Sequence, residues 1–374
     1  MKSQRFLCLL FALFLVLPTV LMISFPVADF SPIENRMLSS FPTFSLEGIT
    51  DGSYFAGLGK FYADRFPFRK NLLQIKSTCE LLSGKRQNGN VFFGRDFYQI
   101  KRLENCDREM LAQNKQASEA IAVHLLAWDK PVVTLYAPRA IDVLTTKLPK
   151  GYPKEAADAP WEILTPSPLT VILAEKASRG EAVWYRTDHH WTTLGAYYAY
   201  EFLGESLGYT PLPKNSFREE IAKEDFLGTS ASASLFPIKK TDRIIRYRFE
   251  GDEDFTVTDL STGEELQGFY RDEKLNSADP YASFLGGNFS HLRVTKSGTE
   301  NRPLLLVIKD SYANCLVPFL ARHFDIELLD TRYVRGASYE MLNEIAERKE
   351  YAGTLLLWNA ETLCSDAGLL PFIA

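Results

Sequence analysis

The stretch Leu304–Cys315, LLLVIKDSYANC, runs from an apolar segment into Asp310 and Ser311 and then into a helical pattern. An apolar run without a polar face is typical of a strand that is buried on both faces of a parallel sheet. Three similar runs occur elsewhere in the chain, at Pro131–Tyr136, Ile326–Leu329 and Thr354–Trp358. We therefore predict an α/β fold built on a parallel sheet.

Helical patterns separate several of these runs, at residues 192–207, 311–322 and 338–348, and a further helix is predicted over 107–130. Alternation of strands and helices predicts helices on both faces of the sheet, which makes three layers. Residues 90–100 are typical of a strand pair that turns at Gly94. Residues 241–298 change to a period of two with turn residues, which predicts a β-rich insertion or appendage.

The first residues of the chain form an apolar block, Phe6–Val27, that follows Lys2 and Arg5. About 22 residues at roughly 1.5 Å each give roughly 33 Å, enough to cross a hydrocarbon core of about 30 Å. The positive residues before the block orient the rest of the chain outside the cytoplasm. We predict an uncleaved single-pass membrane anchor, because Pro26-Val27-Ala28 is a poor cleavage site. A cleaved signal peptide and a buried core helix are the alternatives.

Composition excludes several classes of protein. Hydrophobic residues make up 46% of the chain and charged residues 24%, as in an ordinary globular protein. The net charge is −5 and no basic block occurs, so a nucleic-acid partner is not expected. Outside the membrane a disulfide is permitted among Cys79, Cys106, Cys315 and Cys364, and the sequence leaves three pairings open. No cysteine spacing indicates a zinc site.

Polar residues follow the predicted late strands, where ligands bind in open α/β sheets. Ser311 follows the first of them at a strand-to-helix turn, where the helix N-terminus favours a nucleophile and an oxyanion. The alternative is that Ser311 is only an N-cap. Asn359 directly follows the last strand, and its side-chain amide is a candidate oxyanion donor.

The segment Arg186–Tyr200, RTDHHWTTLGAYYAY, contains two of the five histidines of the chain. In an extended backbone, Asp188 and His190 point the same way, so that the carboxylate orients the imidazole as in a Ser-His-Asp triad. The alternative is a helix N-terminus with polar residues around an N-cap at Thr192.

Several of these motifs together resemble the DHHW protein family: TDHHWT and GAYYAY, DPYASFLGGN (279–288), residues 307–333, ENRMLSSFP and GRDFYQI. That family is similar in turn to the alginate O-acetyltransferase (AlgX/AlgJ-like) type, whose catalytic domain is a permuted SGNH hydrolase. The resemblance implies an SGNH-hydrolase-like three-layer sheet in permuted order. The Asp/His motif precedes the serine here, as the permuted order requires, although Asp-x-His replaces Asp-x-x-His.

The resemblance also implies roles for individual residues. Ser311 becomes the nucleophile, His190 the general base and Asp188 its orienting carboxylate. Further residues of the site are expected to bind the oxyanion or to line the substrate groove: Asn359 for the oxyanion, Arg332 and Tyr333 for the groove (with an ion pair or packing as alternatives), and His189, whose default role is packing. No cofactor and no metal are implied.

We therefore expect an anchor at residues 1–28, a membrane-proximal segment at 29–100 and a permuted SGNH-like domain at 101–374 with its insertion at about 241–298. The expected activity is serine-dependent O-acetyl transfer to, or acetyl-ester hydrolysis of, a cell-surface or secreted polysaccharide. A membrane-bound partner would then deliver the acetyl group. The alternatives are a non-catalytic glycan-binding or assembly protein and a metal-dependent hydrolase using Asp188, His189 and His190, whose consecutive ligands fit poorly around one ion.

Overall fold

The computed structural model describes residues 2–25, 29–31, 36–103, 106–126, 129–153, 159–336, 338–348 and 350–373. Contacts within the chain divide it into two compact units. The N-terminal unit comprises residues 1–88 with 231–237, and the large unit comprises residues 89–230 with 238–374. The three-part domain division made from the sequence stays a prediction.

The N-terminal unit begins with α1, Lys2–Ser24. Among the described residues, Gln4–Ser24 is the helix that is long and apolar enough to cross a membrane, and it has no buried residues. This length and composition fit either a membrane anchor or a signal sequence. The predicted apolar block extends further, but Pro26-Val27-Ala28 lies outside the described residues.

The rest of the N-terminal unit consists of short strands and three helices. Strands β1 and β2, Phe30–Ser31 and Arg36–Met37, pair antiparallel. The helices and the last strand before the large unit are α2 Leu46–Thr50, α3 Ser53–Arg65, α4 Arg69–Leu82 and β3 Gln87–Asn88.

Within the described residues, the large unit contains a seven-stranded mixed sheet. Its strands are β6 Val132–Ala137, β9 Phe255–Asp259, β10 Glu265–Gln267, β11 His291–Lys296, β12 Leu304–Lys309, β13 Asp325–Asp330 and β14 Tyr351–Asn359, in the order β10-β9-β11-β13-β12-β14-β6. The four strands predicted from apolar runs, β13, β12, β14 and β6, are mutually parallel neighbours. Those four strand predictions are confirmed.

The prediction of a wholly parallel sheet is wrong, because β11, β9 and β10 join it antiparallel. These strands come from the segment 241–298, which was predicted as an insertion or appendage and instead extends the central sheet. Buried and partly exposed residues alternate along β11, whereas every residue of β12 is buried. Alternation with a solvated face is the pattern of antiparallel strands.

Helices cover both faces of the sheet, as the alternating pattern predicts. The helices after α4 have the following bounds: α5 Arg108–Leu126, α6 Ala140–Val143, α7 Leu169–Ser178, α8 Thr193–Leu207, α9 Thr229–Ser234, α10 Val317–Leu320, α11 Ser338–Arg348 and α12 Ala360–Ser365. Leu305 and Val307 of β12 belong to one core with helices α7 and α8, and Leu306 belongs to a second core with α5, α11 and α12.

Two further strand pairs lie in the large unit. Strands β4 Val91–Phe93 and β5 Gln99–Lys101 form the antiparallel pair predicted at residues 90–100. Strands β7 Arg218–Phe226 and β8 Asp242–Arg248 pair with each other antiparallel outside the central sheet. Cys106 and Cys364 form a disulfide, whereas Cys315 is buried and reduced.

The continuous helix predicted for residues 311–322 is wrong. The chain forms a short 3₁₀ turn, Ser311–Ala313, and then the four-residue helix α10. Pro318 lies in the first turn of α10. Because proline has no N–H, Pro318 cannot donate the hydrogen bond to the Asn314 carbonyl that a continuous helix would require. A helix that begins just before the proline needs no such bond.

Candidate active site

The Asp-His motif lies at the tip of a loop that a pair of tryptophans closes. Trp184 and Trp191 form an isolated antiparallel bridge, and residues 186–190 between them form a series of bends. The loop then enters α8, whose N-cap is Thr192 with its hydroxyl accepting from the Gly195 N–H. The N-cap interpretation of this segment is therefore also correct, and it applies to Thr192.

Asp188 and His190 contact each other, but not for the reason given from the sequence. The backbone is bent, not extended, and the His190 N–H donates to Asp188 Oδ1 at 2.9 Å. Such i to i+2 bonds are the local turns that aspartate favours. The same oxygen lies 2.7 Å from His190 Nδ1.

The other ring nitrogen of this histidine reaches the serine. His190 Nε2 lies 2.8 Å from Ser311 Oγ, across 121 residues of sequence. Because the carboxylate only accepts when ionised, Nδ1 carries the proton and Nε2 accepts from the Ser311 hydroxyl. His190 and Asp188 are buried, at 5% and 2% exposure. The structure thus brings together the three residues predicted to form a triad.

The carboxylate of Asp188 has four donors. Oδ1 accepts from the N–H and Nδ1 of His190, and Oδ2 accepts from the N–H and hydroxyl of Thr229 at 2.8 and 3.0 Å. Burial alone would raise the pKa of Asp188, but the neighbouring His189 and His190 and these hydrogen bonds lower it well below its usual value. Asp188 is therefore ionised and fixed in orientation.

Ser311 occupies the predicted position at the end of β12. Asp310 caps the following turn, since its Oδ1 accepts from the Tyr312 N–H at 2.9 Å. Its Oδ2 accepts from the Asn359 N–H at 2.7 Å and the Thr362 hydroxyl at 2.8 Å, which ties the end of β12 to the end of β14. The N-cap is therefore Asp310, and Ser311 is the first residue of the turn, with its hydroxyl bonded to His190.

Asn359 is near this position in the fold, but its side chain is engaged elsewhere. Its amide Nδ2 donates to the carbonyls of Ala137 and Pro138, both at 3.3 Å, and its Oδ1 accepts from the Glu361 N–H at 2.9 Å. Both amide hydrogens are thus used to join β14 to β6. In this conformation they are not available to an oxyanion, which contradicts the predicted role of the side chain.

Arg332 and Tyr333 follow β13, the third strand end. The Arg332 guanidinium donates to both carboxylate oxygens of Asp330, at 2.9 and 2.7 Å, and lies 5.4 Å from the centroid of the Tyr333 ring. Asp330 also contacts Nζ of Lys309, at 3.4 Å. This geometry favours the ion-pair alternative for Arg332, whereas Tyr333 is 43% exposed and free to contact a ligand. Their role in a substrate groove stays a prediction.

His189 packs beside the site. Its ring lies 3.8 Å from that of His190, and its Nδ1 is 2.7 Å from the Thr229 hydroxyl. Burial first, and the charge of His190 second, lower the pKa of His189 well below its usual value. A neutral His189 donates its Nδ1–H to the Thr229 hydroxyl, which in turn donates to Asp188. His189 therefore helps to hold the Asp188 carboxylate in its orientation.

Two residues near the triad were not predicted as site residues. The ring of Tyr281 stacks on that of His190 at 3.9 Å with an angle of 8°, and its hydroxyl contacts the Ser311 carbonyl at 3.2 Å. Gly228 packs so closely that a Cβ there would lie 2.3 Å from Cβ of Asp188. Tyr281 lies within the motif DPYASFLGGN, which marks the segment but not the role of the tyrosine, and no local pattern marks Gly228 among the 22 glycines of the chain.

Asp188, His189 and His190 also group their ligand atoms within 4.8 Å of one another. A metal ion would have to replace the bonds from His190 Nδ1 and Thr229 to the carboxylate. Since these donors satisfy both carboxylate oxygens, the geometry favours an orienting carboxylate over a metal ligand.

A cavity of about 720 Å³ lies on another side of the same loop, and Ser311 and His190 are not among its lining residues. Its wall includes Asp242, whose carboxylate accepts from the N–H groups of Arg186 and Thr187 at 2.8 and 2.7 Å. Asp242 therefore holds the loop that presents Asp188.

Solved structures share this fold. A DHHW family protein from Eubacterium siraeum has a TM-score of 0.58 and 20% identity over 75% of this chain and 93% of its own. PatB1 from Bacillus cereus, solved with a sulfonyl adduct, has a TM-score of 0.58 and 17% identity over 76% of this chain and 100% of its own. The O-acetyltransferase domain of Pseudomonas putida AlgJ is more distant, with a TM-score of 0.45 and 15% identity over 75% of this chain and 94% of its own.

The sequence comparisons give a family. No curated protein sequence matches the chain significantly. The model of the DHHW protein family matches residues 34–108 and 171–329, which include Asp188, His190, Tyr281 and Ser311 and make up more than half of the chain. Motifs, fold and family model agree, and the chain belongs to the DHHW protein family.

Proposed function

We propose that this protein is a serine-dependent acyl-transfer enzyme with a permuted SGNH-like active site. The single observation that carries the proposal is the continuous chain of contacts from Asp188 Oδ1 through His190 to Ser311 Oγ, at 2.7 and 2.8 Å. A nucleophile, a base and an orienting carboxylate in this order are the arrangement that acyl transfer requires.

In the first step, His190 Nε2 accepts the Ser311 hydroxyl proton while Oγ bonds to the carbonyl carbon of an acetyl ester. The tetrahedral intermediate collapses, and the leaving alcohol takes the proton from His190. In the second step, a sugar hydroxyl or water gives its proton to His190 and attacks the acetyl group. Ser311 then recovers its proton, and the product is a new ester or acetate.

The oxyanion needs donors other than Asn359. We assign one of them to the backbone N–H of Ser311, because the first N–H groups of a helical turn have no acceptor within the helix. Donors that point at the developing charge contribute several kcal/mol to rate, about 2.7–4 kcal/mol each in well-studied cases.

The proposed substrate and cellular location rest on the N-terminal apolar helix and on the sequence motifs. An apolar helix at residues 4–24 fits a membrane anchor with the active site outside the cytoplasm. The motifs of the chain resemble the alginate O-acetyltransferase type. We therefore propose O-acetyl transfer to, or acetyl-ester hydrolysis on, a cell-surface or secreted polysaccharide, with a membrane-bound partner as acetyl donor.

The experiment is hydrolysis of a chromogenic acetyl ester combined with labelling by a sulfonyl fluoride. Sulfonyl electrophiles form adducts with nucleophilic side chains, and PatB1 has been solved with such an adduct. We expect the wild type to turn over the ester and to gain one sulfonyl group at Ser311 by mass spectrometry. Ser311→Ala should lose both, and His190→Ala should label far more slowly.

Turnover by Ser311→Ala equal to that of the wild type would overturn the proposal. A wild type that binds a polysaccharide tightly but is neither active nor labelled would instead identify a non-catalytic glycan-binding protein.

A further inference from the structure

Helix α4, Arg69–Leu82, presents an apolar stripe to the outside of the N-terminal unit. The stripe consists of the N-cap residue Phe68 and of Leu72, Ile75, Cys79 and Leu82, and a spacing of three and four residues places the last four on one side of the helix. Phe68, Leu72, Ile75 and Leu82 are 72%, 47%, 59% and 84% exposed, and Cys79 is exposed as well. We call these five residues the outer stripe.

The opposite side of α4 is less exposed, with Leu73 and Leu81 partly buried on either side of Ser77. Ser77 is buried at 1% exposure, and its hydroxyl accepts a hydrogen bond from the side-chain amide of Asn88 at 3.3 Å. A surface helix of a soluble protein has apolar residues on its inner face only, whereas α4 has them on both sides. Contiguous exposed apolar surface of this kind marks an interaction site.

The segment before α4 has exposed apolar side chains as well. Phe41, Phe44, Leu46 and Phe55 of the preceding segment are 59%, 63%, 78% and 60% exposed. A coiled coil needs at least about three heptads, and the outer stripe covers only about two. Several exposed aromatic side chains together with a short stripe are more typical of a helix lying in the interface of a bilayer.

The charge of this region differs from that of the whole chain. Residues 60–86 contain seven Lys or Arg and two Asp or Glu, whereas the chain has a net charge of −5. Lys76, next to the outer stripe, has a side chain that is 61% exposed and whose Nζ lies 3.8 Å from Oε1 of Glu80. Basic residues beside an apolar face are attracted to anionic lipid headgroups.

The same unit contains the apolar helix α1, whose last turns approach α3. Thr19, Met22 and Ile23 of α1 line a cavity together with Phe61 and Tyr62 of α3. If α1 crosses the membrane, its end lies at the interface, and α3 is next to it. The following helix, α4, is then within a few residues of the bilayer surface.

We propose that the outer stripe of α4 lies in the interface of an anionic bilayer, so that this segment is a second, peripheral membrane contact beside α1. The proposal rests on the proposed anchoring by α1 and is independent of the acyl-transfer chemistry. The bilayer would cover the exposed apolar side chains, and the neighbouring lysines and arginines would contact lipid phosphates.

The stripe carries its own probe site, Cys79. In a Cys8→Ala background, the full chain is labelled at Cys79 with an environment-sensitive maleimide fluorophore, because Cys315 is buried and Cys106 and Cys364 are bonded. The protein is reconstituted in vesicles of phosphatidylcholine alone or mixed equally with phosphatidylglycerol. Quenching by lipids with a nitroxide on the acyl chain reports contact with the bilayer.

We expect a blue-shifted emission and severalfold quenching by the nitroxide lipids, both stronger with phosphatidylglycerol. The control combines Thr299→Cys with Cys79→Ser in the same background, so that the label is on an exposed residue directly after a turn. The fluorophore there should have the emission spectrum that it has in water. The paired change Leu72→Gln and Ile75→Gln should reduce quenching at Cys79 severalfold, while circular dichroism confirms that the helices are retained.

Three results would overturn the proposal. An aqueous probe on protein that floats with the vesicles would show that α1 anchors the chain while α4 stays in water. A blue shift without lipid quenching would identify a protein contact, such as a second copy of the chain. Equal quenching with and without phosphatidylglycerol would refute the contribution of charge. Protein that does not float with vesicles would instead refute the anchoring on which the proposal rests.

Discussion

Gly228 tests whether the position of Asp188 controls the proposed chemistry. A Cβ at residue 228 would lie 2.3 Å from both Cβ and Oδ2 of Asp188 and 2.6 Å from Cγ, whereas ordinary contact begins near 3.4 Å. Asp188 must therefore move by about 1 Å in a Gly228→Ala variant. Its bonds to Thr229 and His190, at 2.7 to 3.0 Å, cannot all survive such a shift.

The expected loss follows from the displacement. A misplacement of about 1 Å in catalytic geometry costs about 10²-fold in rate, which corresponds to about 2.7 kcal/mol of transition-state stabilisation. We expect kcat/KM for an acetyl ester to fall by about this factor in Gly228→Ala, mainly through kcat. The rate of Ser311 sulfonylation should fall in parallel, because the same histidine activates the hydroxyl.

The matched control is Gly59→Ala, where no atom lies within 4 Å of the added methyl group. Gly59 is inside α3, and alanine is a better helix former than glycine by about 1 kcal/mol, so this variant should keep full activity. Urea unfolding of both variants separates a local shift from loss of the fold. Wild-type kcat/KM in a folded Gly228→Ala would refute the reasoning.

Three further predictions test the surroundings of the site. Tyr281→Phe keeps the ring stacked on His190 and should lose about tenfold or less, whereas Tyr281→Leu should lose about 10²-fold in kcat with little change in KM. Burial would raise the pKa of Glu327, but its hydrogen bonds from His291 and Arg348 lower this pKa to about 2, below the ordinary 4.5. The ionised carboxylate therefore stabilises the fold fully above pH 4.5, and this stabilisation is lost as the pH falls through about 2. Relative to a Glu327→Gln variant, urea unfolding should show a loss of about 3 kcal/mol over that range, and parallel curves would contradict it. Reducing the Cys106–Cys364 disulfide should lower the free energy of unfolding by roughly 2–5 kcal/mol, measured with and without a thiol reductant, and an unchanged midpoint would contradict a stabilising role.

The parallel core of the sheet was predictable because burial on both faces leaves a strong pattern. All six residues of β12 are buried, and so are eight of the nine residues of β14, so these strands appear as uninterrupted apolar runs. The antiparallel strands β9 and β11 were not predictable in position. Each has one partly solvated face, and their alternating pattern fits equally well a separate appendage or an extension of the sheet.

The candidate triad was predictable in membership but not in local geometry. Asp188 and His190 are polar residues of one short motif and Ser311 directly follows a strand, and their residue types suggest their chemistry. The turn that joins Asp188 to His190 depends on the bridge between Trp184 and Trp191 and on Asp242, 54 residues after Asp188 in the sequence. No spacing rule within the motif contains that information.

Asn359 shows why the rule that ligands bind beyond strand ends predicts the position of a residue but not its role. The rule places the residue correctly after β14, but the end of a strand has backbone groups that need partners as well. The β6 strand ends next to it, and the carbonyls of Ala137 and Pro138 accept the amide hydrogens of Asn359. The Asn359 side chain thus satisfies the edge of the sheet, while its backbone N–H donates to Asp310 and helps to hold the Ser311 turn in place. In the proposed mechanism, this leaves backbone N–H groups as the donors for the oxyanion.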